Sequence, residues 1–172
     1  LKRLVRYLAS HQRKAIAYYR QKPEDSPIDV KVDSDWAGDK NSRRSTSGMM
    51  LMRGSHLLRH SSTLQTSISL SSAEAEYYAI VRGAWYGLGF QSTLRDWGLE
   101  GEVHVYSDSS SARSFAKRRG LGKQRHVQTH YLWLQDRVQR GHLQIRCIKE
   151  IENPADLLTK PLNGREIELH CT

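Results

Sequence analysis

The chain has 172 residues, and its 27 lysines and arginines outnumber its 18 aspartates and glutamates, for a formal net charge of +9. This length suits a single domain with its own core. The sequence contains no run of about 18 apolar residues, so it predicts no membrane-spanning helix. Its first residues are basic and do not match the apolar stretch of a signal peptide. Only Cys147 and Cys171 are present, so neither a disulfide framework nor a cysteine zinc site is indicated. We therefore expect a soluble, intracellular protein whose charge favours polyanionic partners.

In the first half of the chain, hydrophobic spacing predicts one helix and then three strands. The first 21 residues carry apolar side chains at helical spacing and are followed by the breaker "KPEDSP", which predicts a leading helix and a linker over residues 1–27. The segment "IDVKVDSDW" alternates as a strand does. The segments "TSGMMLMRG" and "SHLLRHSS" predict two further strands joined around Gly54.

In the second half, helices alternate with strands. A long helix is predicted from Ser71 to about Trp97 and is closed by Gly98. The strand "EVHVYSD" precedes a short helix in "SSSARSFAKRRG", and "QRHVQTHYLWLQDRVQRG" predicts another helix, stopped by Gly141. The last strand is "HLQIRCIKEI", and "NPADLLTKPL" is a short helix opened by Pro154. This order indicates a mixed α/β sheet covered by helices.

Four acidic positions fall where predicted strands end or predicted helices begin. Asp33 shares a strand face with Asp35, Glu76 lies on the packed stripe of the long helix, Asp108 closes "VHVYSD", and Asp156 opens the last helix. Each has an ordinary structural explanation by itself. For Asp33 and its neighbour Asp35 the explanation is a solvated strand face. For Glu76 and Asp156 it is a favourable interaction with the helix dipole, and for Asp108 it is a helix N-cap.

Together, carboxylates from four separate segments fit the requirements of a site for two divalent cations. Mg²⁺ prefers oxygen ligands, and two such ions about 3.5 to 4 Å apart stabilise the attacking and leaving oxygens of a displacement at phosphorus. Without cations, mutual repulsion would raise the pKa values of the clustered carboxylates. The combination therefore predicts a metal site.

Four sequence blocks carry a family resemblance. In this order and spacing, "DVKVDSDWAGDKNSRRSTSG", "LSSAEAEYYAI", "VYSDSSSA" and "NPADLLTKPL" resemble the ribonuclease H domain of copia-type (Pseudoviridae) LTR retrotransposon Pol polyproteins. The resemblance covers residues 28–162, leaves 163–172 as a C-terminal tail, and extends to "LKRLVRYLASHQRKA", which is similar to the end of the preceding reverse-transcriptase connection. It implies a ribonuclease H-like fold, a five-stranded mixed sheet with its first three strands antiparallel and with flanking helices.

The resemblance also assigns the acids. It implies that Asp33, Glu76, Asp108 and Asp156 are catalytic and hold two Mg²⁺ ions, for which Mn²⁺ is a possible substitute. One departure is Val32, which precedes the first aspartate where the family usually has serine. A second is "RCIKEIENPAD", which lacks the histidine that cellular ribonucleases H often carry before the last aspartate, so we expect slower chemistry.

The function implied is that of an endonuclease that hydrolyses the RNA strand of RNA/DNA hybrids during reverse transcription. Its expected partners are the hybrid and the reverse transcriptase of the same polyprotein, its expected location is a cytoplasmic virus-like particle, and no membrane is involved. Discrimination for RNA is expected from contacts to the 2′-hydroxyl. The candidate substrate contacts are basic and polar side chains: Arg43, Arg44, Ser45, Thr46, Lys117, Arg118, Arg119, Lys123, Arg125 and His126.

Two alternatives stay open at the level of function. One is a noncatalytic ribonuclease H-like module that binds hybrid or tethers to reverse transcriptase, and the other is a nuclease of the same fold that nicks DNA. His126 and His130 lie one helical turn apart. They are either a metal or substrate pair or ordinary surface and core histidines.

Overall fold

A computed structural model describes residues 2–10, 15–21, 26–122, 127 and 129–171 of the protein. Within these ranges the chain forms five α-helices, five β-strands and three short 3₁₀ helices. The strands are β1 Ile28–Ser34, β2 Thr46–Arg53, β3 His56–Leu64, β4 Val103–Ser107 and β5 Gln144–Cys147. The α-helices are α1 Lys2–Ser10, α2 Ser72–Asp96, α3 Ser110–Lys117, α4 Trp133–Gln139 and α5 Gly164–Cys171. The 3₁₀ helices span Thr129–Leu132, Glu150–Glu152 and Pro154–Leu158.

The five strands form one mixed sheet in the order β3-β2-β1-β4-β5. The strand β1 is antiparallel to β2 and parallel to β4, β2 is antiparallel to β3, and β4 is parallel to β5. The predicted five-stranded mixed sheet with three antiparallel first strands is confirmed. Because β1 and β4 are parallel, the residues at their carboxyl ends meet at one edge of the sheet, which is where such sheets present residues to ligands.

Helix α2 packs very closely on the sheet because small residues line the stripe that faces it. A Cβ atom added at Gly83 would lie 2.6 Å from Cγ1 of Val32, and one added at Gly87 would lie 2.7 Å from Cγ1 of Val103. Only glycine fits at such distances. The predicted close packing is therefore correct, and it brings Glu76, which lies two turns earlier on the same stripe, down onto the sheet edge.

The first turn of α2 uses a different glutamate. The hydroxyl of Ser71 caps the helix by accepting from the backbone N–H of Glu74 at 3.2 Å. The carboxylate of Glu74 accepts from the N–H of Leu70 at 2.9 Å and from the hydroxyl of Tyr78. Helix initiation thus depends on Glu74 and does not explain Glu76.

Residues 15–21 are not helical, although they belong to the segment 1–27 predicted as a leading helix and linker. They lie against the turn between β2 and β3, where the hydroxyl of Tyr18 donates to the carbonyl of Leu57 at 2.8 Å. The side-chain amide of Gln21 donates to the carbonyl of Arg53 at 2.7 Å. These bonds attach the leading segment to the sheet. The boundary near residue 28 stays a prediction.

The segment predicted as a C-terminal tail, 163–172, contains α5. This helix packs beside the last 3₁₀ helix, and burial together with the charge of Lys31 lowers the pKa of His170. Most of the side chains of α5 that the structure describes are exposed or half-buried. None of the described helices is both long enough and apolar enough to cross a membrane.

Candidate metal centre

Three of the predicted acids meet at the carboxyl ends of β1 and β4. Asp33 comes from β1, Glu76 from α2 and Asp108 from the residue after β4, and one oxygen of each lies within 4.8 Å of the other two. Asp33 is 4 % exposed and Glu76 is 8 % exposed, while Asp108 is half-buried. Side chains from three separate segments thus form one compact carboxylate group, which we call the acidic triad.

Asp108 does not have the capping role that its position at a helix start suggested. The N-cap of α3 is Ser109, whose hydroxyl accepts from the N–H of Ala112 at 3.3 Å. The carboxylate of Asp108 instead belongs to the triad. Helix capping therefore does not account for an acid at this position.

Asp35 lies beyond the end of β1 and closes the loop to β2. Its backbone N–H donates to the carbonyl of Thr46 at 3.1 Å, and its carboxylate accepts from the N–H of Thr46. A Cβ at Gly38 would clash with the carboxylate of Asp35, so a side chain there would displace that carboxylate. Asp33 and not Asp35 is the aspartate of this segment that joins the triad.

Asp156 is brought to the same edge by the last 3₁₀ helix. Its N-cap, the fully buried Asn153, donates from its side chain to the carbonyl of Val32 at 2.9 Å and accepts from the N–H of Ala155 at 3.2 Å. A Cβ at Gly48 would lie 2.8 Å from the carbonyl oxygen of Ala155. The absence of a side chain on β2 thus lets this helix approach the sheet beside Asp33.

Asp156 lies next to the triad and is not part of the 4.8 Å group. Its Oδ2 atom is 2.8 Å from Nζ of Lys160. Its Oδ1 atom is buried and has no hydrogen-bond partner among the described residues. A buried carboxylate oxygen without a donor is a costly feature, and it is the kind of vacant acceptor that a cation can satisfy.

Burial and mutual repulsion raise the pKa values of the carboxyl groups. For Asp33, burial is the largest cause, the charges of Asp156 and Asp108 add to it, a hydrogen bond from Thr159 opposes it, and the pKa is about 6. Burial followed by the charges of Asp33 and Asp108 raises the pKa of Glu76 to about 8. Burial also raises the pKa of Asp156. Near neutral pH, the cluster is poorly able to hold all of its charge without cations.

Neighbouring hydroxyl and amide groups orient the two buried carboxylates. One oxygen of Glu76 accepts from the N–H of Ser34 at 2.9 Å and from its hydroxyl at 3.0 Å, and the other is 3.5 Å from the hydroxyl of Ser107. The hydroxyl of Thr159 donates to Asp33. The sequence reasoning missed these supporting residues, although all three lie inside or beside the blocks that carried the resemblance.

Two further residues at this edge were also missed. Lys160 contacts Asp156, as described above, and belongs to the block "NPADLLTKPL". Trp36 follows Asp35, and its indole N–H donates to the carbonyl of Ser69 at 3.2 Å while 55 % of the residue remains exposed. Both residues lie in sequence blocks that carried the family resemblance, and this was the only indication that they could belong to the site. The blocks by themselves did not indicate what either residue does.

The residues at this edge fit a hard divalent cation such as Mg²⁺ or Mn²⁺. All the candidate donors are carboxylate oxygens, which are the ligands such ions prefer, and the buried Oδ1 atom of Asp156 has unused acceptor capacity. Asp33, Glu76 and Asp108 with Asp156 beside them would hold the ions.

The predicted substrate contacts on the β1–β2 loop fall into two groups. Arg43 and Arg44 are exposed on the loop that leaves the acidic edge. Ser45 is fully buried, and its hydroxyl accepts from the N–H of Ala37 at 3.0 Å. Ser45 therefore supports the loop and has no surface for a substrate. Thr46 is half-buried and its N–H is used by Asp35.

The second predicted basic group lies at the far end of α3, about 12 Å along this eight-residue helix. Lys117, Arg118 and Arg119 are exposed. The guanidinium of Arg118 lies 4.3 Å from the ring centre of Phe115, and Arg119 donates to the side chain of Gln139. These arginines are held in place by local contacts and are not gathered around the triad. Lys123, Arg125 and His126 lie outside the described residues, as does the side chain of His130.

Two of the clefts on the described part of the chain have volumes of about 600 and 560 Å³, and none of the four acids lines either one. The first lies between β3 and α2 around Tyr78, Trp85 and Trp133.

The strand order and the position of the acids define a ribonuclease H-like fold, and comparison with solved structures agrees. The chain is similar to LC11 ribonuclease H1, isolated from compost, with a TM-score of 0.53 and 22 % identity over 77 % of this chain and 92 % of that one. It is also similar to the N-terminal ribonuclease H domain of a Mycobacterium tuberculosis protein, with a TM-score of 0.51 and 15 % identity over 78 % and 91 % of the two chains.

Sequence comparison identifies the relatives more narrowly. The chain is 32 % identical over 140 residues, 80 % of its length, to the retrovirus-related Pol polyprotein from transposon TNT 1-94 of Nicotiana tabacum. It is 30 % identical over 166 residues, 95 % of its length, to that from transposon RE1 of Arabidopsis thaliana. No protein-family profile matches the chain. The predicted resemblance is confirmed: the chain belongs to the copia-like retrovirus-related Pol polyproteins of plant transposons. The chain spans about a tenth of the length of these relatives, 10 % and 11 % respectively.

Proposed function

We propose that the chain is a metal-dependent ribonuclease H that hydrolyses the RNA strand of RNA/DNA hybrids during retrotransposon reverse transcription. The observation that carries the proposal is the acidic triad buried at the ends of β1 and β4. Clustered anions with raised pKa values work against folding, so a purely structural module would have no use for them. A structure of LC11 ribonuclease H1 in complex with an RNA/DNA hybrid makes this hybrid the first substrate to test.

In the proposed mechanism, Asp33, Glu76 and Asp108 would hold two divalent cations, Mg²⁺ or Mn²⁺, and Asp156 would add a fourth carboxylate. When bound, such cations supply an activated water and neutralise the charge on the leaving 3′ oxygen, giving 5′-phosphate and 3′-hydroxyl products. The chain's own residues keep the carboxylates in place. Ser34 orients Glu76 through two hydrogen bonds to one of its oxygens.

The exposed residues of the β1–β2 loop are suited to contact the substrate backbone. Arg43 and Arg44 are exposed on the loop that follows the strand carrying Asp33, and there they would bind phosphates of the hybrid. Trp36 is fixed through its N–H and leaves part of the indole exposed, so it can pack against a sugar or base at the rim. RNA would be distinguished from DNA by contacts to its 2′-hydroxyl.

We propose the same context for the chain as for its relatives. The partner would be the reverse transcriptase segment of a polyprotein, and the location would be a cytoplasmic virus-like particle. Because no histidine lies between Arg146 and Asp156, proton transfer would depend on water or substrate phosphate. We therefore expect modest turnover.

The test is cleavage of an end-labelled RNA/DNA hybrid in Mg²⁺ and in Mn²⁺, beside duplex RNA and duplex DNA. We expect metal-dependent cutting of only the RNA strand of the hybrid, and no cutting by Asp108→Asn. Cleavage of duplex DNA at a similar rate would indicate a nicking nuclease of the same fold.

Hybrid binding without cleavage would favour the noncatalytic module. The assay would then be repeated with a longer chain that includes the reverse transcriptase segment. If that chain binds hybrid and also leaves it intact, the proposed function is wrong.

A further inference from the structure

The carboxylate edge contains one basic side chain in direct contact with an acid of the cluster. The Nζ atom of Lys160 lies 2.8 Å from Oδ2 of Asp156 and 3.6 Å from Oε1 of Glu150. The side chain of Lys160 is 37 % exposed and that of Asp156 is 7 % exposed. The ammonium therefore contacts a buried carboxylate at the boundary between the cluster and solvent.

The triad itself has no such partner. Among the residues that the structure describes, no lysine, arginine or histidine lies within ion-pair distance of Asp33, Glu76 or Asp108. Their hydrogen bonds come from neutral groups, such as Thr159 on Asp33 and Ser34 on Glu76. Among the described residues, Lys160 is thus the basic side chain that forms an ion pair with one of the four acids, and its charge offsets part of their mutual repulsion.

The ammonium uses only one oxygen of Asp156. The other oxygen, Oδ1, is buried and has no partner among the described residues. Asp156 is therefore fixed through one oxygen while its second oxygen keeps its acceptor capacity. A carboxylate held in this way can accept a cation without losing its contact to the lysine.

We propose that Lys160 is an internal counter-cation and a positioning residue, which stabilises the carboxylate cluster before divalent cations bind and opposes their binding by charge. This inference rests on the proposed metal-dependent function. It follows from the geometry, because a divalent cation at the cluster would share Asp156 with a positive charge only 2.8 Å from its other oxygen. Like charges at such distances repel even when partly screened by solvent.

The proposal predicts two effects of opposite sign in Lys160→Met. Without metal, the variant should unfold at lower denaturant concentration than the wild type, because the cluster loses its offsetting charge. With metal, it should bind Mn²⁺ roughly three- to tenfold more tightly, because the opposing charge is gone. Lys160→Arg, which keeps the charge, should restore the wild-type behaviour in both measurements.

The matched control is Lys149→Met, which makes the same change in net charge on an exposed residue paired with Glu152 at 3.2 Å. Unfolding would be followed by circular dichroism in EDTA. Binding would be followed by the electron paramagnetic resonance signal of free Mn²⁺ at fixed pH and low ionic strength. The control should leave Mn²⁺ affinity within about twofold of the wild type, since an exposed surface pair contributes little.

Unchanged or weaker Mn²⁺ binding by Lys160→Met would overturn the inference, and weaker binding would mean that the lysine merely supports Asp156. A second pair of variants tests the positioning part: in an Asp156→Asn background there is no carboxylate to position, so Lys160→Met should tighten Mn²⁺ binding more than it does in the wild type. Equal tightening in both backgrounds would reject positioning. If the wild type binds no Mn²⁺ that Asp33→Asn removes, the proposed function fails together with the inference. If the wild type binds Mn²⁺ and Lys160→Met binds no tighter, only the inference fails.

Discussion

The two ends of β1 and β4 carry two polar clusters of opposite character. At the amino ends, His104 is 4 % exposed, with Nδ1 3.3 Å from Oδ1 of Asp29 and Nε2 3.2 Å from Oε2 of Glu102. At the carboxyl ends of the same strands, Asp33 and Asp108 face each other and a third carboxylate. The first cluster pairs acids with a base, while the second gathers acids.

This difference separates a cluster that serves the fold from one that serves a ligand. Around His104, each ring nitrogen has an acidic partner, so the buried polar groups are satisfied within the chain. In the triad, like charges remain close together, and no basic side chain of the described residues lies within ion-pair distance of them, which is a cost that folding alone does not explain. Local arrangements that oppose stability are characteristic of functional sites.

The most direct test of the difference between the two clusters is to replace an aspartate with asparagine at each end of β1. Asp33→Asn should lower the rate of hybrid cleavage about a thousandfold or more, because a metal ligand is lost. The same variant should be at least as stable as the wild type without metal, because a buried charge among like charges is removed. Cleavage rates and urea unfolding in EDTA would check both expectations.

Asp29→Asn is the matched control, and it should lose stability and keep its cleavage rate within about twofold. A comparable loss of activity in the two variants would show that the two clusters are not functionally distinct.

The second prediction concerns pH. The pKa of Glu76 is about 8 when folded and 4.5 ordinarily, so the folded chain binds more protons than the unfolded chain between these values. Stability without metal should therefore fall as pH rises from about 4.5 to 8, by on the order of a few kcal/mol for this group. This pH dependence would be measured by denaturant unfolding of the wild type and of Glu76→Gln in EDTA at pH 5, 6, 7 and 8.

Glu76→Gln should lack this part of the slope, and a saturating divalent cation should flatten the slope of the wild type. Parallel pH curves for the wild type and Glu76→Gln would contradict the assignment of the repulsion to this residue.

The third prediction concerns the loss of His104 from the cluster at the amino ends of β1 and β4. His104→Leu should cost about 1 to 3 kcal/mol of unfolding free energy, because two hydrogen-bonded acids lose their partner. Hybrid cleavage measured well below the melting temperature should stay within about twofold of the wild type. A large fall in cleavage by folded protein would mean that this cluster takes part in the function.

The fourth prediction has the smallest expected effect and concerns the hydrogen bond from Thr159 to Asp33 in the carboxylate cluster. Thr159→Val keeps the shape of the side chain and removes the hydroxyl that donates to Asp33, which costs about 1 kcal/mol. Since this hydrogen bond lowers the pKa of Asp33, the pH at which cleavage reaches half its maximum should move upward. A pH–rate profile is the measurement, and an unchanged midpoint would exclude Thr159 as support for Asp33.

Some of the site was predictable because its signals are local in sequence. The four acids were identified from blocks around each of them, and the stripe that carries Glu76 and Gly83 indicated which side of α2 faces the sheet. The supporting residues were not predictable in the same way. Whether Ser45 is exposed or buried depends on how the loop closes around Asp35 and Ala37, and no periodic pattern reports this.

The sequence by itself determined the order of the helices and strands as far as the 3₁₀ helix Pro154–Leu158, since hydrophobic spacing and turn residues act over a few positions, but it did not reveal α5. It also determined which acids are candidates for the metal site. Only the tertiary structure decided which of them meet, because Asp33 and Asp108 are brought together by the parallel pairing of β1 and β4. It likewise placed His104 against Asp29 and Lys160 against Asp156. Distances between segments determine charge compensation, so the contrast between the two ends of the sheet appears only in the folded chain.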